Sequence, residues 1–484
     1  MAVAPLVADL IAALGAGAVK AEPLDRILFS KDAGATRGEV RAVVFPEDAA
    51  GVAAVVAVAR RHGVPVVARG AGTGLAGGAV PADPAVVIVT MRMNRIEVDA
   101  ANRTAWVGPG VINLDLSRHT APLQLHFAPD PSSQAACTIG GNVANNSGGP
   151  HCLVEGTTSN HVLAVEFVDG EGRIQVAGGP APDPTGLDVR GVLVGSEGTL
   201  GIITRVLVRL TPDAPAVRTM LFAFPEVAGA AATVSDVIAA GVVPAALEMM
   251  DRPLIRAVEN FVHAGLPVDA AAVLLAEVTG HPVGIAAEAD LIVAAALRNG
   301  AFDVRVAADQ AERDLLWKAR KSAFGAIAQI APDYYLHDVV VPRTRLVETL
   351  EAIYEIARRH DLLVLNTIHA GDGNLHPKFV YDATIADQAQ RVKQASGEVV
   401  RLAIAFGGAL SGEHGIGLEK RDLMPLSFSA IDLDAQARLR EAFDPEKRFN
   451  PGSMLPAGSR CFDFGRGPMG PPQDQVSTRG RVGT

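Results

Sequence analysis

Two histidines bracket a turn signal in the stretch His369-Ala370-Gly371-Asp372-Gly373-Asn374-Leu375-His376. Asp-Gly tolerates the positive φ that both central residues of a two-residue hairpin turn require. A turn centred on Asp372-Gly373 sets Gly371 against Asn374, Ala370 against Leu375 and His369 against His376. Directly opposed Cβ atoms lie about 4.5–5.5 Å apart, so both imidazoles can hold one small cation. Downstream, Ser411-Gly412-Glu413-His414-Gly415-Ile416-Gly417 offers a carboxylate and a further imidazole. A divalent cation on His369, His376 and Glu413 would keep an open position for a substrate oxygen and act as a Lewis acid. His414, next to Glu413 and able to titrate near neutral pH, is the candidate general base. Zinc fits this donor set best, while manganese and iron accept the same donors. Asp372 and Asn374 read as turn or supporting groups. A surface hairpin with an unrelated glycine loop is the bland alternative; it explains either cluster alone better than both together.

The elements that must position these groups begin far upstream. Residues 41–45 read as a strand, 46–62 as an alanine-rich helix and 64–68 as a second strand. This β-α-β unit ends in Arg69-Gly70-Ala71-Gly72-Thr73-Gly74-Leu75-Ala76-Gly77-Gly78, where Gly72, Gly74 and Gly77 match G-x-G-x-x-G. A dinucleotide fingerprint needs a helix immediately after the glycines, and Gly78, Pro81 and Pro84 prevent one. The loop can still form a nest of backbone N–H groups around a pyrophosphate. Residues 129–134 and 138–149, rich in Gly, Asn and Ser, offer a second region of close backbone approach, with Ile139 and Val143 available for packing. A hairpin is expected for 162–168 and 173–176, and Gly195–Gly201 leads into a strand over 202–210. After residue 217 the pattern changes. Strands at 219–224 and 246–250 flank a helix at 226–240, and strands at 273–279 and 303–307 flank one at 285–299. Two such β-α-β halves predict a ferredoxin-like antiparallel sheet with helices on one face. A helix from about Gln310 carries Trp317, Arg320 and Lys321, ordinarily a solvated cationic face.

The composition excludes several function classes. The 484 residues are 49% hydrophobic and 20% charged, which suits two domains with large cores. A net charge of -10 without a dense Lys/Arg run argues against nucleic-acid binding, so a small anionic substrate would need a locally basic pocket. Residues 1–20 read as an amphipathic helix and not as a secretory signal, and apolar runs such as 49–58 are too short to span a bilayer. A cytoplasmic location is therefore expected. Cys137, Cys152 and Cys461 fit a reducing compartment, and three thiolates cannot complete an iron-sulfur cluster that takes four.

Residues 69–78, 129–149 and 195–202 together resemble the cofactor loops of the flavoprotein family named after vanillyl-alcohol oxidase and p-cresol methylhydroxylase. Residues 369–376 and 411–420 narrow the resemblance to its D-2-hydroxy-acid dehydrogenase branch, most closely the larger FAD subunits of bacterial glycolate oxidases. It extends over residues 25–460. The resemblance implies an α+β chain with a two-subdomain FAD-binding domain of the p-cresol methylhydroxylase type and a ferredoxin-like cap. The expected divisions are a helical segment (1–37), the FAD-binding domain (38–216), the cap with its metal site (217–442), a segment returning to the first domain (443–460) and a flexible tail (461–484). FAD contacts are expected from Arg69, Gly70, Ala71, Gly72, Thr73, Gly74, Gly77 and Gly78, from Pro129, Ser132, Ser133, Gly140, Gly141, Asn145 and Gly148, from Glu197, Gly198 and Ile202, and from Asn450. Covalent members carry a histidine or cysteine near the first loop; this chain has neither there, so FAD is expected to be dissociable, and Cys137 reads as a packed residue.

The resemblance further assigns the substrate carboxylate to Arg320, whose planar fork can bind it through two parallel hydrogen bonds. Tyr335 and His414 complete the expected substrate contacts. Diacid-selective members carry a cation just before the aspartate that matches Asp338; Leu336 stands there, so a short monoacid is expected, with a protonated His337 as the one partial replacement. The implied reaction is oxidation of glycolate or a similar small D-2-hydroxy acid to the 2-oxo acid, with hydride passing to flavin N5. D-lactate and D-2-hydroxyglutarate dehydrogenation are alternatives within the branch. A zinc hydrolase and a non-catalytic scaffold in an electron-transfer complex are alternatives outside it. Electrons would leave through a second flavin subunit and an iron-sulfur subunit at the inner face of the membrane, and a homodimer is the alternative for the chain in isolation.

Overall fold

The computed structural model describes residues 3–181 and 185–456; the expected tail lies outside the described residues. Helix α1 (Val3–Leu14) sends Leu6 and Leu10 into a core with Val52, Val55 and Val56 of α2 (Ala49–His62). Asp48 caps α2 by accepting from Gly51 N, and Gly63 ends it. Uninterrupted apolar residues make β1 (Val40–Val44), β2 (Val66–Arg69) and β3 (Ala85–Val89) suited to burial on both faces. They form a parallel sheet in the order β1-β3-β2, and Val19–Lys20 adds antiparallel to β1.

A second, antiparallel sheet follows, with β4 (Ile96–Asp99), β5 (Thr104–Val107), β6 (Val162–Val168), β7 (Ile174–Gly178) and β8 (Ile202–Arg209) in the order β4-β5-β8-β6-β7. Val168 and Ile202 join the core of the first sheet, so the two sheets pack as one unit. The Gly/Asn/Ser region is not all loop. Thr138 caps a short helix, α3 (Ile139–Asn145), through Gly141 N. Ile139 and Val143, one turn apart, are fully buried, and that packing overrides the poor helix propensity of Gly140 and Gly141.

The cap holds β9 (Ala216–Phe224), β10 (Ala246–Asp251), β11 (Ala272–Gly280), β12 (Asp303–Val306), β13 (Asp333–Leu336), β14 (Leu363–His369) and β15 (Asn374–Tyr381). All pair antiparallel in the order β12-β9-β11-β10-β14-β15-β13, whose first four strands have the ferredoxin arrangement. Helices cover both faces, not one. Helices α4 (Val227–Ala239), α6 (Pro282–Arg298), α9 (Leu346–Arg359) and α10 (Gln388–Ala405) pack on Phe222, Leu274 and Phe379. On the other face α5 (Arg252–Val262), α7 (Gln310–Lys321) and α8 (Ala323–Ile327) pack on Leu221, Leu275 and Leu365. Consecutive buried residues such as Val273, Leu274 and Leu275 have side chains on both faces and demand two layers of cover. Residues 448–450 return to β2: Val66 N donates to Arg448 O, and Asn450 N to Val66 O. Among the described residues no helix is long and apolar enough to cross a membrane.

A chain of charged groups centred on the buried Glu277 ties the loop after α3 to the cap. Glu277 on β11 accepts from Arg313 at 2.8 and 2.9 Å, from Trp317 Nε1 at 2.7 Å and from Thr219 Oγ1 at 2.5 Å. His151 reaches Glu277 through Nε2 at 3.4 Å and Asp130 through Nδ1 at 3.0 Å. Burial opposes a charge on His151, but Asp130 and Glu277 outweigh it and push its pKa up to about 10. A histidine raised in the folded state contributes its full stabilisation below its ordinary value of 6.5 and loses it as pH rises through about 10. The thermal midpoint of the protein should therefore fall towards that of His151→Gln across this window; a constant difference between the two would contradict the linkage.

Candidate active site

Antiparallel register gathers the reactive side chains on one face of the cap sheet. His369 pairs with Asn374, Ile368 with Leu375 and Thr367 with His376. The connection is therefore a longer turn over 370–373, and the pairs expected for Gly371, Ala370 and His369 do not form. Gly373 N bonds back to His369 O at 3.1 Å, and Gly373 sits at φ 79° where a Cβ would run into Val341 O. Relative to a turn on Asp372-Gly373 the register moves by two residues, and an even shift keeps every side chain on its own face. His369 and His376 thus meet as diagonal neighbours, with ring centroids 5.0 Å apart and planes at 88°.

Glu413 Oε1 lies 3.2 Å from His376 Nε2 and 3.5 Å from His369 Nε2. The donor atoms of these three residues all lie within 4.8 Å of one another, and His376 Nε2 is buried without a hydrogen-bond partner. An orphaned ring nitrogen beside a second imidazole and a carboxylate is the donor set that a divalent cation satisfies. Behind His369, Glu248 accepts from Nδ1 at 2.6 Å, which turns Nε2 towards Glu413, the arrangement that orients histidine ligands. His376 Nδ1 is held by His337 O at 3.2 Å. The second oxygen of Glu248 lies 2.5 Å from Arg320 Nη2. Burial opposes charge on His369, but Glu248 and Glu413 overcome it and push its pKa up to about 10. Burial likewise opposes charge on Glu413, yet His369 and His376 hold it well below the usual carboxylate range. This point of the cavity favours positive charge, from a proton or from a cation.

The loop bearing Glu413 and His414 is gripped from two sides. Asp338, fully buried, accepts from Ser411 Oγ at 2.5 Å and from the N–H groups of Gly412, Glu413 and His414 at 2.9, 3.1 and 2.9 Å. Glu197 of the first domain accepts from Ile416 N at 2.7 Å and Gly417 N at 2.8 Å. Burial pushes the Glu197 pKa up to about 7 despite these donors. Gly417, at φ 51°, packs on Ala76 O where no Cβ would fit. The His414 ring stacks on His376 with centroids 5.0 Å apart and planes at 17°, and burial pushes its pKa down to about 4. Glu248 was invisible in the sequence; its one signal was a carboxylate in an otherwise apolar run ahead of Asp251. Asp338 stood out only as a landmark.

All of this opens on a cavity of ≈ 430 Å³. From the first domain Arg69, Gly70, Ala71, Gly72, Thr73, Gly74, Gly78, Ser132, Ser133, Gly140, Gly141, Asn145, Glu197 and Gly198 line it, as does Cys137. From the second half come Arg320, Leu336, Thr367, His369, His376, Glu413 and His414. A wall of glycines and small hydroxyls leading to this cluster suits an extended nucleotide cofactor with its reactive end at the cluster. The other expected cofactor contacts lie behind the wall. Ile202 is core, Gly77 packs on Leu418 and Gly148 on Cys152 and Glu413. Pro129 O accepts from Asn113, and Asn450 Nδ2 donates to Gly78 O at 2.7 Å and Glu197 O at 3.0 Å. Tyr335 faces away, its hydroxyl 3.3 Å from Glu419, because strand alternation presents Tyr334 and Leu336 to the cavity instead. His337 also faces away, bonded to Ser396 Oγ at 2.9 Å; burial pushes its pKa down to about 3, so it brings no cation to the cavity.

Comparison with known proteins matches residues 40–178 to the FAD binding domain family and residues 214–454 to the C-terminal domain of FAD linked oxidases. The glycolate oxidase subunit GlcD of Escherichia coli strain K12 is 44% identical over 87% of this chain and 85% of its own length. A D-lactate dehydrogenase of Archaeoglobus fulgidus is 34% identical over 85% of this chain and 91% of its own. Among solved structures, p-cresol methylhydroxylase with substrate bound superposes with a TM-score of 0.80 at 15% identity, covering 93% of this chain and 96% of that one, which shows the shared fold. The chain belongs to the FAD-linked oxidase family and carries that family's FAD binding domain and C-terminal domain.

Proposed function

We propose that this protein oxidises glycolate or a similar small D-2-hydroxy acid to the 2-oxo acid, using dissociable FAD and a divalent cation held by His369, His376 and Glu413. The observation that carries this reading is the convergence of Arg320, the three-donor cluster and His414 on the cavity lined by the FAD binding domain. Relatives named as glycolate oxidase subunits and D-lactate dehydrogenases support the substrate class. When bound, FAD supplies a hydride acceptor and the cation a Lewis acid for the substrate hydroxyl. Arg320 anchors the carboxylate through its guanidinium fork, which Glu248 holds in place. His414 accepts the hydroxyl proton as carbon 2 is oxidised. Leu336 on the cavity wall and a neutral His337 favour a short monoacid over a diacid. Zinc fits the donor set best. D-lactate is the second reading, favoured by the relatives of that name. The hydrolase alternative required purely structural glycine loops, and the matched FAD binding domain covers those at 69–78 and 129–149.

A second flavin subunit and an iron-sulfur subunit, at the inner face of the membrane, would take the electrons, because three cysteines cannot build a further centre. The relatives' description as oxidase subunits supports such an assembly.

Anaerobic addition of glycolate or D-lactate should bleach the oxidised flavin; failure of both would overturn the substrate class. His414→Gln should lower kcat by about 10²–10⁴-fold with FAD content unchanged, and a loss below tenfold would remove its role as base. Glu248→Gln should weaken retention of the cation by about 10–100-fold in competition with a chelator, whereas unchanged affinity would show that the carboxylate does not orient His369.

A further inference from the structure

Lys378 is 1% exposed, and its contacts include no ion pair among the described residues. It lies on β15 two residues from His376, hence on the same face, and pairs with Leu336 of β13 and Leu365 of β14. Its Nζ donates to Thr367 Oγ1 and to His376 O, the latter at 2.9 Å, and stands 5.9 Å above the Phe324 ring. Thr367 is the informative partner. It sits opposite His376 and lines the cavity together with Arg320, Phe324 and Leu336.

A threonine hydroxyl has one hydrogen to give and lone pairs to receive. Lys378 occupies a lone pair of Oγ1, so the hydrogen is left for an acceptor elsewhere, and no acceptor among the described residues takes it. Arg320 Nε, on the same cavity wall, is also buried without a partner. Two buried donors with nothing to bind, facing one cavity and flanked by apolar Leu336 and Phe324, fit a compact anion.

We propose that Thr367 is a substrate-binding residue whose hydroxyl donates to the carboxylate anchored by Arg320, and that Lys378 is a positioning residue that turns that hydrogen into the cavity. A third hydrogen bond fixes the rotation of the carboxylate and so the face that carbon 2 presents. The apolar neighbours then restrict the remaining substituent to a small one. This inference rests on the reading of the cavity as a 2-hydroxy-acid site.

The test is steady-state kinetics of the FAD-loaded protein with glycolate and D-lactate on wild type, Thr367→Val, Thr367→Ser, Lys378→Met and the double variant Thr367→Val/Lys378→Met, with FAD content and thermal midpoint as checks of folding. Thr367→Val should raise KM by about tenfold to a hundredfold, the worth of a hydrogen bond to a charged group, with a smaller change in kcat. Thr367→Ser, which keeps the hydroxyl, should restore KM to near the wild-type value. Lys378→Met should raise KM when Thr367 is present and add nothing to Thr367→Val, since it acts through that hydroxyl. An unchanged KM in Thr367→Val, or an equal effect of Lys378→Met in both backgrounds, overturns the proposal while leaving the proposed function intact. Failure of both acids to reduce the wild-type flavin overturns both together.

Discussion

Two buried carboxylates, Asp338 and Glu197, grip one loop, and the reactive groups stand where they do because both grips hold. Asp338 takes the N–H groups at 412–414, and Glu197, from the first domain, takes those at 416 and 417. Each side solves the other's problem. Buried carboxylates without partners, like buried loop N–H groups without acceptors, cost kilocalories, and pairing them removes both costs. The outcome is a rigid turn in which the adjacent residues Glu413 and His414 serve different purposes, Glu413 completing the donor cluster and His414 stacking over His376. One grip comes from the segment between β7 and β8 and the other from the segment after β13, so the loop is held only while these two parts of the fold are docked. The His151 and Glu277 chain reinforces the same docking elsewhere.

Glu248 performs a second kind of coupling. One oxygen holds His369 Nδ1 and the other holds Arg320, so the residue proposed to anchor the substrate carboxylate and a ring of the donor cluster share one support. Displacing either partner would leave Glu248 buried with an uncompensated charge, which disfavours any arrangement in which the arginine and the histidine move independently. The proposed anchor and the donor cluster are tied together in this way through one shared carboxylate.

Much of this was legible in the sequence wherever a pattern is local. The β-α-β unit before Arg69, the ferredoxin-like halves after residue 217 and the placement of His369 and His376 on one face follow from hydrophobic period and strand alternation. What escaped depends on tertiary context. The turn on Asp372-Gly373 gave way to a longer one over 370–373, where Gly373 O accepts from Val341 N, yet the even register shift kept both histidines on one face. Gly140 and Gly141 argued against a helix that burial of Ile139 and Val143 nevertheless stabilises. Tyr335 lost its place on the cavity to its neighbours by strand alternation, which a single residue's chemistry cannot reveal. Glu248 and Lys378 carry no local signal of their roles; only the tertiary fold brings them beside Arg320 and Thr367.

The arrangement is tested most directly by a crystal structure of the FAD-loaded protein, reduced so that it cannot turn over and soaked anaerobically with glycolate. The account predicts a cation bound by His369, His376 and Glu413, the glycolate carboxylate on Arg320, and its hydroxyl within hydrogen-bond reach of His414. Glycolate seated away from Arg320, or a cation bound by other residues, would contradict it.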